Sequence, residues 1–292
     1  MVATPWHTQN FLRHPSRIER LLDLTNLQPH DLVLDLGAGR GELTTHLARR
    51  CRGVVAVEKD PLLVAGLRLR FADASNVSVR EADALAVRLP REPYKVIANI
   101  PFDITTRLVR RLTSAAYAPL DSYLAIQAEA AARVLGQPRA SLFSALVKPW
   151  FDARIVHRFQ RYDFAPPPRV EVVFLRLHKR GPPLVAEGDA MFYRDLLTYC
   201  FSSARPTLKA TLAPLVGARR FQHLGLAPAA TPASLQLSDW LAIVQALSGD
   251  EFLRKRVHSY AMLDTSRYRA QFSATRSRTS STGTSSHSVT RR

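Results

Sequence analysis

The chain has 292 residues, 46% of them hydrophobic, a length and composition ordinary for one large globular domain with a smaller one attached. Forty-one Lys and Arg stand against twenty-four Asp and Glu, a formal charge of +17 that is mostly arginine and suits a polyanionic partner. No apolar run approaches the roughly 18 residues of a membrane span, and the N-terminal MVATPWHTQNFL lacks an apolar signal core, so a cytoplasmic protein without membrane contact is expected. Cys51 and Cys200 can form neither a disulfide framework nor a four-thiolate zinc site, and the histidines show no metal-ligand spacing. Buried thiols and no metal are therefore expected.

In chain order, residues 16–28 place Ile18, Leu21, Leu22 and Leu24 or Leu27 at helical spacing, ended by Pro29-His30-Asp31. Leu32–Leu36 is a short apolar run that stops at glycines and reads as a buried parallel strand. Residues 42–51 are the next helix, broken by Gly53. Val54–Val57 is a second strand ending at Glu58, and 61–71 are helical. Val77–Val79 is a third strand, followed by Glu81-Ala82-Asp83. Tyr94–Ala98 is a fourth, ending at Asn99. Later strands are expected at 121–127, 151–159 and 170–177, with Pro166-Pro167-Pro168 between the last two.

From about 178 the pattern changes. Gly181-Pro182-Pro183 reads as a linker, and 190–248 as short helices broken by Pro206, Pro214, Gly217, Gly225, Pro228 and Pro232. From Asp264 to Arg292, Ser, Thr and six arginines dominate; such a segment cannot build a core and is expected to be disordered. The expected organisation is a larger domain over 1–177, a small helical domain over 178–263 on the side of the polyanionic partner, and a basic tail over 264–292.

Strands alternating with helices predict an α/β, doubly wound Rossmann-like parallel sheet, with ligands beyond the carboxyl ends of the strands. Gly37, Glu58, Asp83 and Asn99 all fall at such ends, so one pocket can receive all four. Gly37-Ala38-Gly39-Arg40-Gly41 lets the backbone approach a ligand closely. Its third glycine comes one residue too soon for the dinucleotide fingerprint, and its spacing is more typical of a loop for S-adenosylmethionine (SAM). A carboxylate at Glu58 suits ribose hydroxyls, and Asp83 suits the cofactor adenine's amino group.

Asn99-Ile100-Pro101-Phe102 points to the reaction. The lone pair of an adenine N6 amine is delocalised into the ring. Hydrogen bonds accepted by the Asn99 side-chain oxygen and the Pro101 carbonyl would help localise that pair toward a methyl group. Phe102 can stack on the base, and Phe164, beside the proline-rich loop, can form a second aromatic wall. Positioning and electrostatics would supply most of the rate, on an adenine taken out of its stack.

These residues resemble the rRNA adenine N6-methyltransferases, which include the erythromycin-resistance (Erm) enzymes of the large subunit and the dimethyladenosine transferases of the small subunit. The resemblance runs from Gln9 to about Leu177 and rests on Gln9-Asn10-Phe11-Leu12, Asp35 to Thr44, Val57-Glu58, Ala82-Asp83, Asn99 to Phe102, and Phe164 to Val170. It implies that Asn10 and Leu12 cap the SAM site, that Gly37, Gly39, Glu58, Asp83 and Asn99 bind SAM, and that Asn99, Pro101, Phe102 and Phe164 hold the target adenine. Asp35 stands where the family often has Glu, and Phe102 where Tyr is common. Isoleucine in Asn99-Ile100-Pro101, the pattern Leu237 to Ile243 and the basic tail look more like Erm enzymes. The resemblance then implies a monomer methylating 23S rRNA and macrolide, lincosamide and streptogramin B resistance. The alternatives are a small-subunit rRNA dimethyltransferase and a non-catalytic nucleic-acid-binding factor on the same fold.

Overall fold

A computed structural model describes residues 11–12, 14–114 and 116–262; Asn10 and the 264–292 tail lie outside the described residues. The chain divides into two compact units, Met1–Val185 and Ala186–Arg292. The division falls after the expected 177/178. The last strand runs on to Lys179, and Leu184 N–H donates to Pro149 O at 3.0 Å, which ties 180–185 to the first unit.

The first unit comprises β1 (Phe11–Leu12), α1 (Pro15–Asp23), β2 (Leu32–Leu36), α2 (Glu42–Ala48), β3 (Gly53–Glu58), α3 (Pro61–Arg70) and β4 (Val77–Glu81). It continues with β5 (Lys95–Asn99), α4 (Thr105–Ser114), β6 (Asp121–Gln127), α5 (Ala128–Leu135), α6 (Leu142–Val147), β7 (Phe151–Arg158), β8 (Phe164–Ala165) and β9 (Val172–Lys179). Seven strands form one sheet in the order β4-β3-β2-β5-β6-β9-β7, while β1 and β8 pair separately.

The strands β2 to β6 are parallel, as expected, but β9 lies antiparallel between β6 and β7. The sheet is therefore mixed and not wholly parallel. No α-helix connects β7 to β9, and without a crossover that connection joins neighbours antiparallel.

Alternation along the strands supplies two cores, because successive side chains point to opposite faces. Leu34, Leu36, Val96, Ala98, Leu124 and Ile126 pack with Leu108 and Leu112 of α4 and Val134 of α5. Val33, Val54, Ile97, Tyr123 and Ala125 pack with Ile18, Leu21 and Leu22 of α1 and Leu43 and Leu47 of α2. Helices on both faces leave the middle strands buried throughout, which is why they read as unbroken apolar runs.

The chain winds from β2 outward through β3 and β4, then returns to β5 and β6 on the other side of β2. The carboxyl ends of β2 and β5 therefore flank the switch point of the sheet, where such folds bind ligands.

The second unit holds α7 (Ala190–Ser202), α8 (Leu208–Val216), α9 (Ala218–Gln222), α10 (Leu237–Leu247) and a helical stretch, α11, over 251–262. Phe192, Tyr193, Leu197, Leu212, Trp240 and Val257 are among its buried side chains. Pro206, Gly217 and Pro232 fall at helix boundaries, whereas Pro214 lies inside α8 and does not break it. So close to the helix end, a proline forfeits a single N–H bond.

Candidate active site

The glycine loop is held by backbone geometry that only glycine adopts readily. Gly37, Gly39 and Gly41 have φ of 81°, 58° and 84°. Gly37 and Ala38 N–H both donate to Val57 O, at 2.8 and 3.0 Å, which lashes the loop to the end of β3. At Gly41 a Cβ would stand 2.7 Å from Leu67 Cδ2 and 2.9 Å from the Phe71 ring, so α3 also closes against the loop.

Glu58, only 2% exposed, organises that loop from the end of β3. Its Oε2 accepts from Gly39 N–H at 3.0 Å, and its Oε1 accepts from the Lys59 and Asp60 N–H groups at 2.8 and 3.1 Å. A carboxylate offers about four acceptor sites. One, on Oε2, remains for a ribose hydroxyl. Next along the chain, Asp60 caps α3 by accepting from Leu62 and Leu63 N–H, with Pro61 in the first turn. The turn that carries Glu58 is thus fixed on both sides.

Gly37, Glu58 and Asp83 line one cavity of about 180 Å³, together with Pro101. Three residues not foreseen as site residues, Lys59, Asp103 and Arg107, line it too. Arg107 gives no motif signal; its place near the start of α4, just after the tetrapeptide, is the one clue the sequence holds. Asp83 accepts from Leu85 N–H through Oδ1 at 2.8 Å. Its other oxygen has no partner among the described residues.

Beneath the loop, Asp35 is buried to 1% and accepts from Thr44 Oγ1 at 2.6 Å. Burial, opposed by the Thr44 bond and aided by the neighbouring charges of Glu58 and Glu42, pushes its carboxyl up to about 7. Two enclosed carboxylates, Asp35 and Glu58, so close to a glycine loop fit a cationic donor that carries a ribose. That is the chemistry of SAM.

The tetrapeptide meets this cavity directly. A Cβ on Gly37 would lie 3.5 Å from Pro101 Cδ and 3.8 Å from Asn99 O, so the two motifs are in van der Waals contact. Asn99 ends β5 and is half-buried. Pro101 O accepts from Ile104 N–H at 3.2 Å and from Thr105 Oγ1 at 3.4 Å. Its lone pairs thus already have partners within the chain, and the longer Thr105 bond is the one an incoming amine would replace.

Phe102 is half-buried at the margin of the core that also contains Leu12 and Phe164. Phe164 is 1% exposed and packs edge-on against Phe159, with ring centroids 5.1 Å apart. It backs the site, and Phe102 is the aromatic side chain with open surface. Leu12 pairs with Phe164 across β1 and β8 and lines a different cavity from Gly37, Glu58 and Asp83.

Cys51 and Cys200 are buried free thiols, both pushed up by burial, Cys51 to about 11. No helix among the described residues is long and apolar enough to cross a membrane.

Residues 4–248 match the Ribosomal RNA adenine dimethylase family. An rRNA adenine N-6-methyltransferase of Saccharopolyspora erythraea is 30% identical over 243 residues, 82% of this chain but only 64% of the relative's own length. A Ribosomal RNA small subunit methyltransferase A of Prochlorococcus marinus is 35% identical over 262 residues, 82% of this chain and 92% of the relative. The solved structure of the 23S rRNA methyltransferase ErmE is similar with a TM-score of 0.74 at 30% identity, over 82% of this chain and 100% of that one. With a family match from residue 4 to residue 248, and 35% identity to one relative over 82% of this sequence, the chain belongs to the ribosomal RNA adenine dimethylase family, whose methyl donor is SAM.

Proposed function

We propose that the protein methylates N6 of a specific adenine in 23S rRNA. The observation that carries this reading is the contact between Gly37, at the end of β2, and Asn99 and Pro101, at the end of β5. It sets a loop suited to SAM against a turn suited to an adenine amine. SAM, when bound, supplies an electrophilic methyl group on a sulfonium.

The chain's own residues do the rest. Gly37, Gly39, Glu58 and Asp83 hold the donor's nucleoside half, and Asp35 places a carboxylate under its cationic half. The family resemblance makes Asn10 a cap of the donor site; Leu12, which lines the neighbouring cavity, acts on the site through its strand partner Phe164. The Asn99 side-chain oxygen and Pro101 O accept from the target amine and draw its lone pair out of conjugation. Phe102 stacks on the base and fixes its plane, with Phe164 bracing the wall behind it. No strong base is needed, since the amine becomes acidic once it is methylated. Rate comes from alignment and from acceptors already in place.

Ile100 within the tetrapeptide and the basic tail favour the large-subunit RNA, with macrolide, lincosamide and streptogramin B resistance as the consequence. The 35% identity to a small-subunit enzyme supports a second reading, dimethylation of 16S rRNA. Incubation with SAM and protein-free 23S or 16S rRNA, with modified bases mapped as reverse-transcription stops, separates the two. A stop in 23S rRNA alone is expected. A stop confined to 16S rRNA replaces the first reading with the second.

A further inference from the structure

A second cavity, of about 580 Å³, opens between α1 and the β7–β8 connection, and neither the SAM cleft nor the tetrapeptide lines it. Its volume is that of a small-molecule site. Its apolar lining includes Leu12, Ile18 and Phe159. Arg17, Arg20 and Arg158 also line it, against a single carboxylate, Asp163.

That carboxylate is already committed. Asp163 is buried, pairs with Arg17 and accepts from Gln160 N–H at 2.7 Å. Fixed in this way, the Arg17 guanidinium lies 4.4 Å from the centroid of the Tyr162 ring. Tyr162 is nevertheless 59% exposed, a large aromatic surface presented beside cations. Arg20 forms no ion pair among the described residues, and Arg158 pairs with Glu171, an exposed contact that water weakens. Burial lowers the His157 imidazole, so it is neutral at pH 7 and adds no charge to the wall.

An apolar slot with an exposed tyrosine and arginines at its edge matches one ligand chemistry well: a planar base joined to phosphate. The base stacks on tyrosine and guanidinium, and the phosphates pair with arginine. The first ten residues, MVATPWHTQN, contain no Asp or Glu, so nothing in them neutralises these arginines.

The cavity stands back to back with the target-base wall. Phe159, in its lining, touches Phe164, and Leu12, also in its lining, is the strand partner of Phe164. We propose that this cavity receives a nucleotide of the substrate RNA close to the target adenine. The proposal rests on RNA being the substrate. It makes Tyr162 and Arg20 specificity-determining residues outside the catalytic pocket.

The test uses the full chain with a photoreactive benzoylphenylalanine in place of Tyr162 and a 23S rRNA fragment that contains the methylated site. The cross-link is expected within a few nucleotides of the target adenine. In parallel, Tyr162→Ala and Arg20→Glu are expected to raise KM for RNA at least tenfold, with SAM affinity unchanged and kcat nearly so. Tyr162→Trp is expected to restore KM. A cross-link to residues 1–10 of the chain itself, or to RNA far from the target, overturns the proposal, as does a parental KM in both variants. A parent enzyme that methylates neither rRNA defeats the functional reading instead, and the cross-link position still decides what the cavity holds.

Discussion

The two units differ in architecture, a helix-covered sheet against a set of short helices, and in how many cations each carries. Residues 1–185 carry 27 Lys and Arg against 17 Asp and Glu, and 186–292 carry 14 against 7, six of those 14 being arginines of 264–292. Pairing is partial in both. In the helical unit Arg220, Arg254 and Lys255 pair with Asp250, Asp189 and Glu251. Arg20, Arg107, Arg110 and Arg169 of the first unit form no ion pair among the described residues, and neither do Arg205, Lys209, Arg219 and Arg256 of the second. Most of the cations, 27 of 41, sit on the unit that also carries the glycine loop and the tetrapeptide. Sequence patterning alone puts RNA binding on the 178–263 side. The charge distribution favours the catalytic unit as the main phosphate track, with the helical unit contributing shape.

The strongest way to break this comparison is at the strand ends. Asn99→Ala is expected to slow methyl transfer by on the order of a hundredfold to a thousandfold, the scale for losing one preorganised polar partner of a transition state. RNA affinity should stay near parental. Single-turnover methylation beside a filter-binding assay reads both, and loss of RNA binding instead of rate would place Asn99 in the RNA track. Glu58→Ala is expected to abolish measurable SAM binding in calorimetry while RNA binding survives, because both the hydroxyl acceptor and the anchor of Gly39 are lost. Phe102→Ala is expected to lose roughly tenfold to hundredfold in rate, since stacking a base on an aromatic ring is worth about 1–3 kcal/mol, and Phe102→Tyr or Trp should recover most of it.

The comparison is sharpened by salt. RNA affinity should fall steeply with salt concentration, because each phosphate contact releases counterions. Replacing Arg17 and Arg20 with Ala should reduce the logarithmic slope by about one for each phosphate left unneutralised. The same change at Lys209 and Arg219 should leave the slope nearly unaltered. An equal loss of slope from the helical unit would contradict the division of labour drawn here. Deleting 264–292 should lower the slope without abolishing methylation.

The strands β2, β3 and β5 were legible because both faces of the sheet are covered there, so each appears as an apolar run ending at a candidate site residue. Gly37, Glu58 and Asn99 end or follow such runs, whereas Asp83 follows the edge strand β4, whose two valines alternate with polar residues; the topology brings these ends together. Less legible was anything that depends on partners distant in sequence. The antiparallel insertion of β9 follows from how a proline-rich connection returns, which strand patterning does not encode. The burial of Phe164 depends on Phe159 and on β1, whose short pairing gives no periodic signal. The cavity beside α1 is assembled from residues more than a hundred positions apart, and its arginines were indistinguishable from the rest of a basic composition.

A smaller, pH-dependent effect follows from Asp35. Its folded value of about 7 lies above the ordinary 3.8, so its contribution to stability is fully present below that ordinary value and is lost as pH rises through about 7. A cationic donor favours the ionised form, so SAM affinity should rise over the same range. Asp35→Asn should flatten both trends, and calorimetric titrations from about pH 6 to pH 8 would read them.

The central claim is that the strand-end pocket directs a methyl group to adenine N6. Mass spectrometry of nucleosides from 23S rRNA treated with the protein and SAM tests it most directly. The expected result is N6-methyl- or N6,N6-dimethyladenosine with the parent and a near-complete loss with Asn99→Ala. Methyl groups on any other atom, or undiminished N6 methylation by Asn99→Ala, would contradict it.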